Sequence, residues 1–162
     1  MKTLHIVRHG KALQSDGYIK DEDRPLIAKG IANNILVAKK LLARFTVPDL
    51  IISSFAARAL QTAHIFAREM GYPHENVKVS EKLYFQGDSE TYDILAKLPD
   101  TVKSVMIVGH NPDLTYVAYR LGAGVNDIST SGVVTICFET DAWSNIENTK
   151  IQCSFTDKYQ EN

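Results

Sequence analysis

The chain has 162 residues, 44% of them hydrophobic, which suits one domain with a core of its own. A formal net charge of −1 excludes any general attraction to nucleic acid or to an anionic membrane, so affinity for an anion has to come from a local basic cluster. No apolar stretch has the length of a membrane span or a signal peptide, and a cytoplasmic protein is expected.

Residues 2–8 form a short apolar run rich in β-branched side chains, read as a buried strand that breaks at Gly10 and leaves Arg8 and His9 at its end. After a polar loop over 11–23, Ile31, Ile35, Ala38, Leu42 and Phe45 recur at helical spacing and predict an amphipathic helix over 28–45. A second strand is expected over 49–53. The helix after it, over 56–70, carries Leu60, Ala63, Ala67 and Met70 on one stripe and stops at Gly71 with Pro73 beyond. Arg58 falls in its first turn. A short strand at 77–79 and a helix at 92–98 precede a strand over 102–108, which ends in Gly109-His110.

Asn111-Pro112 fits an N-cap followed by proline at the first helical position, and Leu114, Val117, Ala118 and Leu121 supply the helix that Gly122 closes. From Gly132 the pattern becomes a meander, with strands over 133–139 and 150–155 and a shorter one around 143–146. Alternating strands and helices imply an α/β protein: three layers, α/β/α, around a mainly parallel sheet with an antiparallel edge, as one domain over 1–162. Cys137 and Cys153 lie in separate strand-like segments without Cys-x-x-Cys or metal-ligand spacing, so free thiols are expected.

Arg8, His9, Arg58 and His110 thus reach strand-to-helix junctions, which a parallel sheet gathers along one edge. A phosphoryl group in transfer spreads charge over three equatorial oxygens, and catalysis consists largely of positioning it and meeting that charge. Arginine suits the task, because its planar fork forms paired hydrogen bonds and keeps its charge. His9, next to Arg8, is the expected nucleophile; a neutral ring nitrogen can attack phosphorus when the other donates to a fixed acceptor. His110 would donate a hydrogen bond to the equatorial oxygens. The helix starting near Pro112 could add backbone donors. His5, His64 and His74 read as structural histidines, and Gln61 and Thr62 as supports behind Arg58. Arg24 has two readings, a rim contact to substrate or a loop ion pair with Asp21 or Asp23.

Arg8-His9-Gly10, the Ser-x-x-x-Arg-Ala-x-Gln-Thr-Ala pattern of Ser54 to Ala63, and Val-Gly-His-Asn-Pro at Val108 to Pro112 together resemble the histidine phosphatase superfamily, related to phosphoglycerate mutase. The short chain, Asp23-Arg24-Pro25-Leu26 and the Trp143 region are similar to its SixA-type phosphohistidine phosphatases. The resemblance implies a phosphoglycerate mutase-like fold, His9 as phosphate acceptor, Arg8, Arg58 and His110 as phosphate pocket, and neither metal nor cofactor. Gly10, Asn111 and Arg24 are further candidates for contacting substrate.

Larger members use a glutamate as general acid, and Glu81 lies near the corresponding place in a sequence that departs from their pattern; Asp88 and Glu90 are alternatives. A phosphohistidine substrate relaxes the need, since its leaving imidazole can already be protonated. The expected function is a metal-independent phosphatase acting through a phosphohistidine intermediate on a phosphohistidine-bearing partner protein. A small-molecule phosphomonoesterase acting on a phosphorylated metabolite, and a non-catalytic phosphate-binding module, are the alternatives.

Overall fold

The computed structural model describes residues 1–158. In chain order the elements are β1 (Lys2–Arg8), α1 (Ala28–Leu42), β2 (Leu50–Ser53), α2 (Ala57–Met70), β3 (Lys78–Val79), α3 (Asp88–Ala96), β4 (Ser104–Gly109), α4 (Asp113–Arg120), β5 (Val133–Phe138) and β6 (Ile151–Asp157). The strands form one six-stranded sheet in the order β3-β2-β4-β1-β5-β6. Neighbours are parallel from β3 to β1, and β5 and β6 run antiparallel at the other edge.

The two faces of the sheet are covered by different helices, because side chains alternate along each strand. Leu4 and Ile6 of β1 pack with Val105 and Ile107 of β4 against Leu95 of α3, Leu114 and Val117 of α4, and Trp143. Val7, Met106 and Val108 face Val37 and Leu41 of α1 and Phe66 and Met70 of α2. Both faces of the central strands are therefore dry, as their near-continuous apolar sequences require. Among the described residues no helix is long and apolar enough to cross a membrane.

Three expected elements change. The helix over 28–45 ends at Leu42, and Phe45 folds back through its N–H to the Leu41 carbonyl and places its ring against His5. The helix expected at 92–98 begins at Asp88, with Asp88 and Glu90 in a first turn whose dipole favours acidic groups. The strand expected at 143–146 is a 3-10 helix, Trp143–Asn148. Trp143 and Ile146 are both buried, and residues three apart share a face in a 3-10 turn but oppose each other in a strand. The Trp143 indole N–H donates to the Val102 carbonyl, an acceptor it shares with the buried Lys2 ammonium.

Cys137 and Cys153 are paired in a disulfide rather than free. Antiparallel pairing of β5 with β6 sets the two residues directly opposite each other, a relation made by strand register that spacing motifs do not encode.

The start of α1 is pressed against the segment after β1. A Cβ on Gly30 would lie 2.2 Å from the Lys11 carbonyl oxygen, and one on Gly10 would lie 2.6 Å from Nδ2 of Asn34. Alanine is the better helix former by about 1 kcal/mol, yet Gly30→Ala is expected to destabilise the protein by about 1–3 kcal/mol through overpacking. Urea unfolding checks this, and an unchanged or higher midpoint would contradict the close approach.

Candidate active site

Three adjacent parallel strands, β2, β4 and β1, end together. Their registers set Ser53 beside Val108 and Arg8 beside Gly109. The ladder continues one residue further, with the His9 N–H donating to the Gly109 carbonyl (3.1 Å) and the Ser54 N–H to the Val108 carbonyl (2.9 Å). His9 and His110 therefore stand side by side just beyond the strand ends, their ring centroids 5.1 Å apart. Arg58 enters from the first turn of α2 and is 1% exposed. Arg8 completes the group from the last position of β1, its Nη1 donating to the Ile128 carbonyl at 2.7 Å.

Both ring nitrogens of His9 have defined partners. Nδ1 lies 2.7 Å from the Gly10 carbonyl, an acceptor only, so Nδ1 carries the proton. Nε2 accepts from Arg58 Nε at 3.2 Å and so keeps a lone pair directed into the site. Burial, followed by the nearby charges of Arg58, Arg8 and Arg24, lowers the His9 pKa to about 4 against the opposing pull of the Gly10 bond. The ring is neutral at pH 7. His110 is lowered further, to about 3, by burial and then by His9 and Arg58. Its Nε2 lies 2.9 Å from Ser54 Oγ, while its Nδ1 is buried without a partner.

Four buried side-chain polar atoms lack partners among the described residues: Arg8 Nε, His110 Nδ1, Asn34 Oδ1 and Ser131 Oγ. Two of them belong to the residues just described, and a third to Ser131, whose N–H donates to the His9 carbonyl. A buried donor left without a partner is costly, and a bound anion would complete Arg8 Nε.

Asp21, which the sequence offers only as a loop partner for Arg24, is central. Its carbonyl and Oδ2 accept from Arg58 Nη1 (2.6 Å) and Nη2 (2.9 Å), and its Oδ1 accepts from Arg24 Nε (3.0 Å). The Tyr84 hydroxyl donates to Oδ2 at 2.6 Å. Burial opposes ionisation of Asp21, but the bonds from Tyr84, Arg58 and Arg24 outweigh it and hold the carboxyl well below its usual range. Arg24 thus joins the site through Asp21, with its Nη1 on the Leu13 carbonyl. Tyr84 and Phe85 also wall the His110 ring, at centroid distances of 5.3 Å and 4.7 Å.

Two candidates for substrate contact have their groups committed elsewhere. The Gly10 N–H donates to Thr62 Oγ1 at 3.0 Å and its carbonyl holds the His9 ring, so Gly10 fixes that ring and its amide is already committed. Asn111 is not an N-cap: α4 starts at Asp113 without a side-chain cap bond, and Asn111 Nδ2 donates to Asp127 Oδ1 and the Ile128 carbonyl, both at 3.0 Å. Its Oδ1 accepts from Thr115, so it ties α4 to the 127–128 loop that receives Arg8. Gln61 and Thr62 are supports, as the sequence suggests, bonding Leu26 N–H and Gly10 N–H.

Glu81 is exposed, and no contact joins it to Arg8, His9, Arg58 or His110 among the described residues. It lines a neighbouring cavity of about 600 Å³ with Phe55, Lys82, Tyr84, Gln86 and Glu90. The alternative acids are engaged, Asp88 with Arg120 and Glu90 with Lys82. Among the described residues no group of three or more His, Cys, Asp or Glu gathers as metal ligands.

Comparison with known proteins identifies the family. The family model described as "Histidine phosphatase superfamily (branch 1)" matches residues 4–84. An uncharacterized protein of Picosynechococcus is 35% identical over 130 residues, covering 75% of this chain and 73% of the relative. A structure from Agrobacterium tumefaciens, described as a candidate phosphohistidine phosphatase SixA, superposes with a TM-score of 0.78 at 25% identity, covering 95% of this chain and 97% of that one. One from Nakamurella multipartitia, with the same description, gives a TM-score of 0.80 at 21% identity over 95% of each chain. The neighbouring strand ends that bring Arg8, His9, Arg58 and His110 together, the family model and the 35% identical relative lead to one conclusion: this chain belongs to the histidine phosphatase superfamily.

Proposed function

We propose that the protein hydrolyses phosphohistidine on a partner protein through a covalent intermediate on His9. The observation that carries this reading is the fixed state of the His9 ring, with Nδ1–H held by Gly10 and Nε2 presented as a lone pair beside Arg58. In the first step the Nε2 lone pair forms a bond to phosphorus as the bond to the leaving nitrogen breaks. The electron pair of that bond departs with the leaving imidazole, which is neutral if its other nitrogen already carries a proton. Arg58 Nε exchanges its bond to Nε2 for one to a phosphoryl oxygen. Arg8 and His110 supply donors for the equatorial oxygens, where charge is held in the transition state. Water then attacks the phosphoryl group, the Nε2–P bond returns its electrons to His9, and the proton of the water passes to a phosphate oxygen.

Two features support a phosphohistidine over an alkyl phosphate. The carboxylates near the site are poorly placed as acids: Asp21 is ion-paired to Arg58 and Arg24, and Glu81 faces the adjoining cavity. A leaving imidazole needs less help from an acid than an alkoxide. The cavity of about 600 Å³ beside Tyr84 also exceeds the volume of one imidazole ring and leaves room for neighbouring groups on a protein.

Hydrolysis of phosphohistidine and of an aryl phosphate in excess chelator, by wild type and by His9→Ala, tests the proposal. Wild type should cleave phosphohistidine preferentially, and His9→Ala should lose about 10³-fold or more. Equal activity in the variant would contradict the intermediate, a preference for the aryl ester would point to small metabolites, and phosphate binding without turnover would indicate a binding module.

Since the neutral ring is the reactive form, kcat/KM corrected for substrate ionisation should hold as pH falls and decline only near pH 4, where His9 gains a proton. A decline centred near the ordinary histidine value of about 6.5 would contradict the electrostatics described. Glu81→Gln should alter aryl phosphate turnover by less than about tenfold, and a loss of two to four orders of magnitude would instead identify a general acid.

A further inference from the structure

We infer that Ser54 is a positioning residue that fixes the proton of His110 on Nδ1, so that this nitrogen faces a bound phosphoryl group as a donor. The inference rests on the phosphoryl-transfer reading of the site and assigns a role to a residue outside the four that would touch phosphate.

The bookkeeping of one hydroxyl carries it. Ser54 is fully buried, one residue beyond β2, with its N–H on the Val108 carbonyl. Its carbonyl accepts the Ser53 hydroxyl at 2.9 Å, so that hydroxyl does not compete for the ring. Ser54 Oγ has two neighbours, the Ala56 N–H at 3.3 Å and His110 Nε2 at 2.9 Å. Ala56 can only donate. If Nε2 also carried a proton, both neighbours would point donors at Oγ, and the buried hydroxyl proton would have no acceptor among the described residues. His110 Nδ1 would then present a lone pair in a site built for an anion.

The opposite arrangement satisfies every group around Ser54 Oγ. Ala56 N–H donates to Ser54 Oγ, the Ser54 hydroxyl donates to His110 Nε2, and Nδ1 holds the proton. That nitrogen is one of the buried atoms with no partner among the described residues, and an anionic oxygen would complete it. Tyr84 and Phe85 pack on the same ring and resist its rotation. One strand-to-helix turn thus delivers two groups to the phosphate: Arg58 directly and Ser54 through His110. The spacing Ser54-x-x-x-Arg58 acquires a physical reason, because residue 54 meets the end of β4 while residue 58, beyond the bend at 55–56, lies in the first turn of α2.

The test is ¹⁵N NMR of the full chain labelled at histidine, with the His110 signals assigned by their loss in His110→Gln. Wild type should show a protonated Nδ1 and an unprotonated Nε2 at pH 7, and inorganic phosphate should shift the Nδ1 signal. Ser54→Ala should admit the Nε2-protonated form and lower kcat for an aryl phosphate about 10- to 100-fold, the scale of one hydrogen bond to a charged group, with a smaller effect on KM. Ser54→Thr should restore both the tautomer and the rate.

A protonated Nε2 in wild type would overturn the inference without any variant, as would an unchanged tautomer in Ser54→Ala. The wild-type spectrum does not depend on turnover. A protein with Nδ1–H at His110 and no phosphatase activity would sink the proposed function alone, and a protein turning over through His9 with Nε2–H at His110 would sink this inference alone.

Discussion

The bond from His9 Nδ1 to the Gly10 carbonyl decides which nitrogen can react, and much of the surrounding structure serves to hold that carbonyl in place. Gly10 is fixed by its N–H to Thr62 Oγ1, and Thr62 donates in turn to the Arg58 carbonyl one turn earlier in α2. Asn34 of α1 reaches the same threonine oxygen. Helix α1 can come this close because Gly10 and Gly30 have no Cβ where Asn34 and Lys11 lie. The helices on one face of the sheet thus meet at the backbone of Gly10, the residue after His9. A displaced Gly10 carbonyl would free the ring to take either tautomer and lose the orientation on which attack depends.

Charge is the second constraint. Arg58 is almost wholly enclosed, and a buried cation without a partner is strongly unfavourable. Asp21 supplies the partner from a loop more than thirty residues earlier in the chain, and Tyr84 and Arg24 hold that carboxylate in position. One carboxylate, Asp21, thus holds two guanidinium groups, Arg58 and Arg24, while Arg8 Nε and His110 Nδ1 have no partner among the described residues. In the proposed mechanism an incoming phosphoryl group meets donors already in place, and Arg58 exchanges the His9 bond for a phosphoryl oxygen. Electrostatic stabilisation of this kind is effective because the donors need no reorganisation as charge develops.

The architecture and the junctions carrying Arg8, His9, Arg58 and His110 were legible in the sequence, because apolar runs ending in Gly10 and His110 and a helix beginning near Arg58 are local signals. What escaped depends on long-range pairing. Asp21 looks like any acid in a polar loop until the loop is folded over α2, and Tyr84 and Phe85 look like loop aromatics until they pack on the His110 ring just beyond β4. Ser54 was visible as a motif letter, but its role requires the register between β2 and β4. Cys137 and Cys153 fit no spacing motif and are expected as free thiols, whereas strand pairing brings them together. Trp143 and Ile146 suggested a strand by composition, and the three-residue spacing between these buried side chains was the signal that pointed to a 3-10 turn.

The account stands or falls on the atom that carries the phosphoryl group. Wild-type protein mixed with a phosphohistidine donor can be quenched in alkali, which preserves a phosphoramidate, and the attachment site read from ³¹P–¹⁵N coupling in histidine-labelled protein. Phosphorus bonded to Nε2 of His9 is the predicted result. Phosphorus on Nδ1 of His9, or on any other residue, would contradict it.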